Sequence, residues 1–401
     1  MLCSVFVGAE YVENKVGNMV ILVVIPSLTS YLFLREFCGE LAAKGWEVHL
    51  ATSWRSLGNY EEDQSRVTFH SIDFPRGMNP ISHLKSARKL NNIVKDIKPD
   101  VVDVHFSAAA FTAALARRSH WPPTIATVQG LRFPLATGFQ AKLLKFAECW
   151  SAKKLDNFIV LTQDDYDALK REGVERCALQ GGYGFGCDLE KFDENNVSTA
   201  DKERTKKEIG KGEGDVVFVF IGRLVAFKGF HLVVKAFLQV QSSNKNIKLL
   251  VCGEFDDLHP SGLTDDELSE FNKNENIIST GWTDRIERYL SVSDVVVFPS
   301  EREGVPVNLM EALSMGVPVI TCDSRGCREV MNEGKNGIVL ESRTVDAVAA
   351  AMLSMSTDEG LRNRYSRDAL GFRGNFTRSH FVQEHISAVT GLSHSSGKSA
   401  Q

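Results

Sequence analysis

Long apolar runs are missing from this chain. None reaches the ~18 residues that a membrane-spanning helix needs. The first eighteen residues carry Glu10 and Glu13 in place of a basic segment with a cleavage site, so no signal peptide is expected. Paired cysteine motifs are missing too. The eight cysteines (3, 38, 149, 177, 187, 252, 322 and 327) form no C-x-x-C, and most sit in apolar surroundings. That points away from a disulfide framework and a zinc cluster and toward a reduced, cytosolic compartment. Nor is there an excess of positive charge: at a net charge of −5, nucleic-acid binding has no compositional support.

What is present suits a soluble globular chain with a large core: 401 residues, 43% hydrophobic and 24% charged, for which two domains are the natural expectation. The charge is uneven. Residues 1–185 hold 21 Lys/Arg against 19 Asp/Glu, and the remainder holds 25 against 32. The basic residues of the first half recur as Lys85, Arg88, Lys89, Lys95 and Lys98, then as Lys142, Lys145, Lys153 and Lys154. Helices carrying them could face an anionic membrane or a pyrophosphate-linked lipid; the same charges also suit ordinary solvated faces.

Apolar runs alternate with helical patterns: VILVVIP, then 30–44; WEVHLAT, 82–97; VVDVHF, 108–118; TIATVQ, 139–153; NFIVLT, 164–172. This is the βαβ signature of a parallel, doubly wound sheet. Glycine-rich GGYGFGCDLEKF (181–192) and polar 193–214 read as the interdomain connection. GGYGFG is not a dinucleotide fingerprint, because it opens no helix inside a βαβ unit. A second series starts at Val216 with KLLVCG, IISTGW, VVVFPS and PVITCD, followed by a helical stretch over 343–390 and the tail HSSGKSAQ, expected to be disordered.

The chemistry concentrates at strand ends of the second series. Arg223 and Lys228 lie in GRLVAFKG directly after VVFVFIG, between Gly222 and Gly229. An arginine fork and a lysine point charge suit a diphosphate, though charged strand-end loops are also common without a ligand. Glu303 and Glu311 stand eight residues apart in EGVPVNLME, after VVVFP. Pro306 suits the first position of the helix that follows, so backbone N–H groups around Gly304, Val305 and Val307 form its positive end. Carboxylates can accept from vicinal hydroxyls of a ribose or a pyranose. Cations for a diphosphate and carboxylates for sugar hydroxyls together describe a nucleotide-sugar site. In the loop after the first strand, Ser27, Thr29 and Ser30 are acceptor-side candidates; the same residues also suit a helix cap.

These segments resemble the retaining glycosyltransferases of family 4, with the GT-B fold. The likeness runs over residues 19–375. It is strongest in GRL…KG, in GWTDRIERYLSVSDVVVFPSEREGVPVNLMEALSMGVPVI and in DSRGCREVMNEGKNGIVL. IPSLTSYLFLREFCGELAAKGWEVHLAT, KLNNIVKDIKPDVVDVHFSAAAF and TVQGLRFP resemble the subgroup that builds bacterial capsule, O-antigen and glycan-carrier oligosaccharides. The resemblance implies two Rossmann-like domains facing across a cleft. Arg223 and Lys228 would hold the donor diphosphate, Glu303 the transferred sugar with Gly304 and Val305, and Glu311 the ribose. Gly281, Trp282 and Thr283 would frame the base, with Glu254 of CGEFDD at its edge. It implies a metal-independent reaction with retention, by front-face attack in which the leaving phosphate takes the acceptor's proton. One position departs from the subgroup: Gln129-Gly130 stands where His-Gly is usual, and glutamine cannot become cationic. Arg132 can supply a nearby charge, or be a plain surface arginine.

The expected layout is an acceptor-side domain over 19–190 (with 1–18 an upstream extension), a nucleotide-sugar domain over 191–375, a helix over 376–392 crossing back, and a tail over 393–401. The expected partners are a UDP-sugar and a glycan or polyprenyl-diphosphate-linked acceptor, met in the cytoplasm or peripherally at the inner membrane face. Two rivals remain on the residues alone: a UDP-sugar 2-epimerase of the same fold, and a non-catalytic nucleotide-sugar-binding assembly subunit.

Overall fold

The computed structural model describes residues 19–54, 58–75, 79–256, 259–332 and 334–396. The expectations for 1–18 and for 397–401 fall outside them. The chain divides into two compact units, one of residues 1–180 with 382–401, the other of residues 181–381.

The first unit runs β1 (Val20–Val24), α1 (Arg35–Ala43), β2 (Glu47–Thr52), β3 (Val67–Ser71), α2 (Pro80–Ile97), β4 (Val101–His105), α3 (Ser107–Ala116), β5 (Thr124–Val128), α4 (Gly138–Lys154), β6 (Asn157–Val160), α5 (Gln163–Arg171) and β7 (Cys177–Leu179). All its strands are parallel, in the order β3-β2-β1-β4-β5-β6-β7. Its central strands are buried along their length, which is why they read as apolar runs and not as alternating patterns. The edge strands β3 and β7 did not register in the sequence reading. Their burial is partial, so VTFHS and CAL carry little apolar signal.

The second unit holds α6 (Thr199–Glu208), β8 (Val216–Ile221), α7 (Phe230–Gln241), β9 (Ile247–Cys252), α8 (Asp265–Lys273), β10 (Ile277–Gly281), α9 (Ile286–Leu290), β11 (Val295–Phe298), α10 (Val307–Ser314), β12 (Val319–Cys322), β13 (Gly337–Leu340), α11 (Val345–Thr357) and α12 (Glu359–Phe372). Its six parallel strands are ordered β10-β9-β8-β11-β12-β13. The last helix, α13 (Arg378–Ser396), belongs to the first unit from Val382 onward.

Three boundaries differ from expectation. Residues 181–190 belong to the second unit, because Cys187 N–H donates to the Phe376 carbonyl at 2.8 Å and Arg378 N–H donates back to the Cys187 carbonyl at 3.3 Å. Residues 376–381 stay there for the same reason, with Phe185 packed edge-on against Phe381. A Cβ on Gly186 would come within 2.8 Å of the Phe376 carbonyl oxygen, so the glycine-rich stretch serves close chain approach. Residues 393–396, expected as disordered tail, are the last turn of α13.

Candidate active site

Strand order reverses between β1 and β4 in one sheet and between β8 and β11 in the other. Ligands of open parallel sheets bind beyond the strand carboxyl ends at such switch points. Arg223 follows β8 and Glu303 follows β11, so the second switch point lies between the two loops expected to carry the donor.

There the Lys228 ammonium donates to Glu303 Oε1 at 2.7 Å, and the Ser300 hydroxyl donates to the same oxygen at 2.8 Å. The Phe227 ring gathers the cations: its centroid lies 5.4 Å from the Arg223 guanidinium, 5.9 Å from Lys228 Nζ and 5.1 Å from the Arg302 guanidinium. Arg223 also pairs with Asp256 at 2.5 Å. Three cations thus stand around one ring, each with an acid close by. Arg302 escaped the sequence reading, although SEREGVP places it one residue before Glu303.

Glycines and one buttress set these loops. A Cβ on Gly253 would sit 1.9 Å from the Gly222 carbonyl oxygen, and one on Gly326 would sit 2.3 Å from that of Gly304. The Arg343 guanidinium donates to the carbonyls of Pro299 at 2.8 Å and Ala226 at 2.6 Å, joining the loop of Lys228 to the strand end before Glu303. Arg343 gave no signal in sequence, since it lies in a different segment from both loops. Pro306 is not the first helical residue but the cap: its backbone is extended, while its carbonyl accepts from Leu309 and Met310.

Glu311 stands apart from the Phe227 cluster. Burial on α10 pushes its carboxyl up to about 7, against the pull of Lys191 and Arg378, with Glu287 and Asp188 adding to the rise. The folded state therefore keeps a proton that the unfolded chain releases, so this group lowers stability as pH rises from the ordinary glutamate range to about 7 and above. Glu311→Gln is expected to raise the melting temperature above neutral pH and to leave it nearly unchanged below pH ~4, while weakening nucleotide-induced stabilisation. An equal or lower melting temperature above neutrality counts against this placement.

Around the remaining strand ends, Glu254 is exposed, and its Oε1 lies 4.0 Å from where a Cβ on Gly281 would be. Trp282 is 70% exposed, leaving an indole face open for stacking. Thr283 Oγ1 accepts from Arg285 N–H at 3.1 Å, fixing the turn into α9. Gly304 and Val305 are seated by the bond from Glu303 N–H to the Arg325 carbonyl at 2.9 Å.

The first unit has its own cavity at the β1/β4 switch point, of about 720 Å³. Ser27, Thr29 and Arg132 line it. Ser30 instead hydrogen-bonds Ser27 at 3.2 Å. Three further lining residues were not read from sequence: His83, Ser107 and Glu148. Buried Glu148 on α4 accepts from the backbone N–H groups of Arg132 and Phe133 at 3.0–3.1 Å. Burial pushes its carboxyl up despite those donors. The trace in sequence was a lone acid on the apolar face of FAECW. Phe106, just before Ser107, has φ 73°, a left-handed conformation that costs a bulky residue ~1–3 kcal/mol. Gln129 is absent from the cavity lining; both atoms of its amide are buried and lack hydrogen-bond partners.

A group of potential metal ligands among the described residues is Asp103, His105 and His385, all fully buried. Both imidazoles donate Nε2–H to the Asp103 carboxylate, at 2.9 Å from His105 and 3.0 Å from His385, so the cluster links β4 to α13. No helix among the described residues is long and apolar enough to cross a membrane.

Residues 201–371 match the family model for glycosyl transferases group 1, and residues 22–162 match that for glycosyl transferase 4-like domains. The capsular polysaccharide biosynthesis glycosyltransferase CapM of Staphylococcus aureus is 24% identical over 366 residues, 89% of this chain and 93% of the relative. The UDP-Gal:alpha-D-GlcNAc-diphosphoundecaprenol alpha-1,3-galactosyltransferase of Escherichia coli is 26% identical over 313 residues, 76% of this chain and 78% of that one. Among solved structures, Anabaena Alr3699/HepE in complex with UDP and glucose superposes with a TM-score of 0.76 at 16% identity, covering 93% of this chain and 99% of that one. With two parallel Rossmann-like sheets, charged residues at their switch points and family models matching both halves, the chain belongs to the GT-B glycosyltransferases that pair a family 4-like domain with a group 1 domain.

Proposed function

We propose that this glycosyltransferase transfers a hexose or N-acetylhexosamine, with retention, from a UDP-sugar to a polyprenyl-diphosphate-linked glycan in cell-surface polysaccharide synthesis. The observation that carries the reading is the junction of Lys228 with Glu303 beside the three-cation ring at Phe227. Positive charge held where a diphosphate leaves needs no reorganisation during the reaction, so no metal is required by this arrangement. Glu303 exchanges Lys228 for a sugar hydroxyl as the diphosphate takes over the lysine, and Glu311 accepts from the ribose. The bond from the sugar anomeric carbon to phosphate oxygen breaks, the acceptor hydroxyl attacks on the same face, and its proton passes to the departing phosphate.

The names of two relatives support the surroundings of this reaction: capsule synthesis for the S. aureus protein, and a UDP-sugar with a diphosphoundecaprenol acceptor for the E. coli one. On the acceptor side, Arg132 and Ser107 in the first-unit cavity suit a diphosphate-linked sugar, which supports work at the cytoplasmic membrane face.

Thermal denaturation against UDP, GDP, ADP and their common sugar conjugates, without metal and with chelator, tests the donor. A ligand at about a hundred times its Kd stabilises by roughly 2.7 kcal/mol. Stabilisation by UDP compounds alone is expected; no shift with any nucleotide removes the reading's main support. Saturable UDP-sugar binding with neither transfer nor slow hydrolysis would instead leave a binding subunit.

A further inference from the structure

Arg343 differs from the other cations near the donor loops. It lies one residue before Thr344, the cap of α11, where the positive end of the helix dipole disfavours a cation. Arg223, Lys228 and Arg302 each have an acid beside them, whereas no carboxylate among the described residues pairs with Arg343. Its half-buried guanidinium goes to backbone carbonyls instead: Nε donates to Pro299 at 2.8 Å, and Nη2 donates to Ala226 at 2.6 Å and to Phe227 at 3.3 Å. Burial holds the His231 imidazole on α7 below its ordinary range, and Arg343 adds to the effect, so its charge is felt at the neighbouring helix. A cation kept at an unfavourable helix end without a counter-charge lowers stability, and such costs persist where function needs the group.

The carbonyls that it grips belong to the two segments whose side chains meet as Lys228 and Glu303. Ala226 and Phe227 precede Lys228, and Pro299 follows β11 on the way to Glu303. The segments approach closely. A Cβ on Gly229, at φ 80°, would run into the Pro299 carbonyl, and Glu301 N–H donates to the Phe227 carbonyl at 2.8 Å. The Lys228–Glu303 bond also ties them. Transfer as proposed above requires that bond to open, with the ammonium turning to the diphosphate and the carboxylate to a sugar hydroxyl. Once it opens, Arg343 and the Glu301–Phe227 bond still hold the two segments together.

We infer that Arg343 is a positioning residue for sugar transfer: it fixes the separation of the Lys228 and Glu303 loops while a diphosphate and a sugar part the two side chains, and it sets a positive charge without a counter-acid beside their backbone. This deepens the donor reading and rests on it. Arg343 touches no substrate in this role and acts through the backbone of both loops. A misplacement of about 1 Å among reacting groups can cost ~10²-fold in rate. A fixed charge near the leaving diphosphate counts most as that charge develops.

Steady-state UDP release by Arg343→Ala and Arg343→Lys, at matched circular dichroism, tests it. Arg343→Ala is expected to lower kcat by ~10²-fold, to leave the acceptor KM unchanged, and to shrink the melting shift from UDP but not that from uridine, which carries no phosphate. Arg343→Lys keeps the charge without the fork, so it is expected to retain the UDP shift and to lose about tenfold in kcat. Millimolar guanidinium is expected to restore part of the Arg343→Ala rate, while sodium at the same concentration is not. A merely structural role predicts the reverse, since guanidinium weakens folding. Where Arg343→Ala fails to fold, Arg343→Met keeps the packing of the stem and takes its place. Wild-type kcat in either variant, or a loss in Arg343→Ala that guanidinium does not relieve, overturns the inference. The two readings fail separately. A wild type that UDP stabilises, with variants of unchanged kcat, loses the positioning role alone, whereas a wild type with no UDP shift loses the donor site and this role with it.

Discussion

Lys228→Ala is expected to lower turnover by ~10²–10³-fold, the loss typical when one preorganised group that stabilises transition-state charge is removed. The substitution does two things at once. It deletes a cation from the ring around Phe227, and it leaves Glu303 without the ammonium that donates to its Oε1 at 2.7 Å. Lys228 and Glu303 side chains are each 16% exposed, so water replaces the lost partner only in part and the carboxylate then repels an incoming diphosphate. The loss should fall on kcat and kcat/KM together, because the interaction strengthens as phosphate charge develops. Lys228→Arg keeps the charge but not the compact geometry, so partial recovery is expected. UDP release from the donor, with and without a glycan acceptor, reads both variants. Wild-type turnover in Lys228→Ala, with an unchanged fold by circular dichroism, would detach the diphosphate from this loop.

Asp103→Ala is the second large effect, and it bears on stability. Asp103 and His105 of β4 meet His385 of α13 with no exposure to solvent. Removing the carboxylate strands two buried imidazole N–H groups, and breaking buried pairs of this kind costs about 3–5 kcal/mol. For a unit of this size that is a fall of roughly 10 °C in melting temperature. The pH dependence has a definite sign. Burial opposes charge on Asp103, yet His105 and His385 overcome it and hold the carboxyl well below its usual range. Its contribution is therefore complete at neutral pH and is lost as pH falls through and below the ordinary carboxylate range. Burial also pushes His105 down; the unfolded chain takes up a proton near pH ~6.5 that the folded one refuses, which lowers stability in acid as well. Asp103→Asn should accordingly lose less stability on acidification than the wild type. His385→Ala should in addition speed proteolysis near α13, since it cuts the helix's own side of the link. A melting temperature within a degree or two of wild type for Asp103→Ala would show that β4 and α13 hold together by apolar contact alone.

How much of this was legible depends on where each signal resides. The buried parallel strands were plain in sequence, because strands covered on both faces read as unbroken apolar runs: VILVV, VVFVFI and VVVF became β1, β8 and β11. The half-covered edges β3 and β7 were not, for want of that contrast. Arg223, Lys228 and Glu303 stand out in sequence because their motifs sit directly after such strands.

Residues that act across segments had no such marker. Arg343 is far along the chain from Ala226 and Pro299, whose carbonyls it holds. Glu148 reaches from mid-helix to the N–H groups of Arg132 and Phe133. His385 meets Asp103 across 282 positions. Local order alone, through period, glycine placement and charge beside strand ends, determined the βαβ architecture and the two loops proposed to hold the donor. Tertiary structure alone decided that GGYGFG closes onto 376–378, that Glu311 is desolvated up to about 7, and that Phe139, Leu143 and Phe146 are left bare. The physical reason is common to all three. Secondary structure follows from interactions within a few residues, whereas desolvation, close chain approach and exposure depend on what the rest of the chain brings alongside.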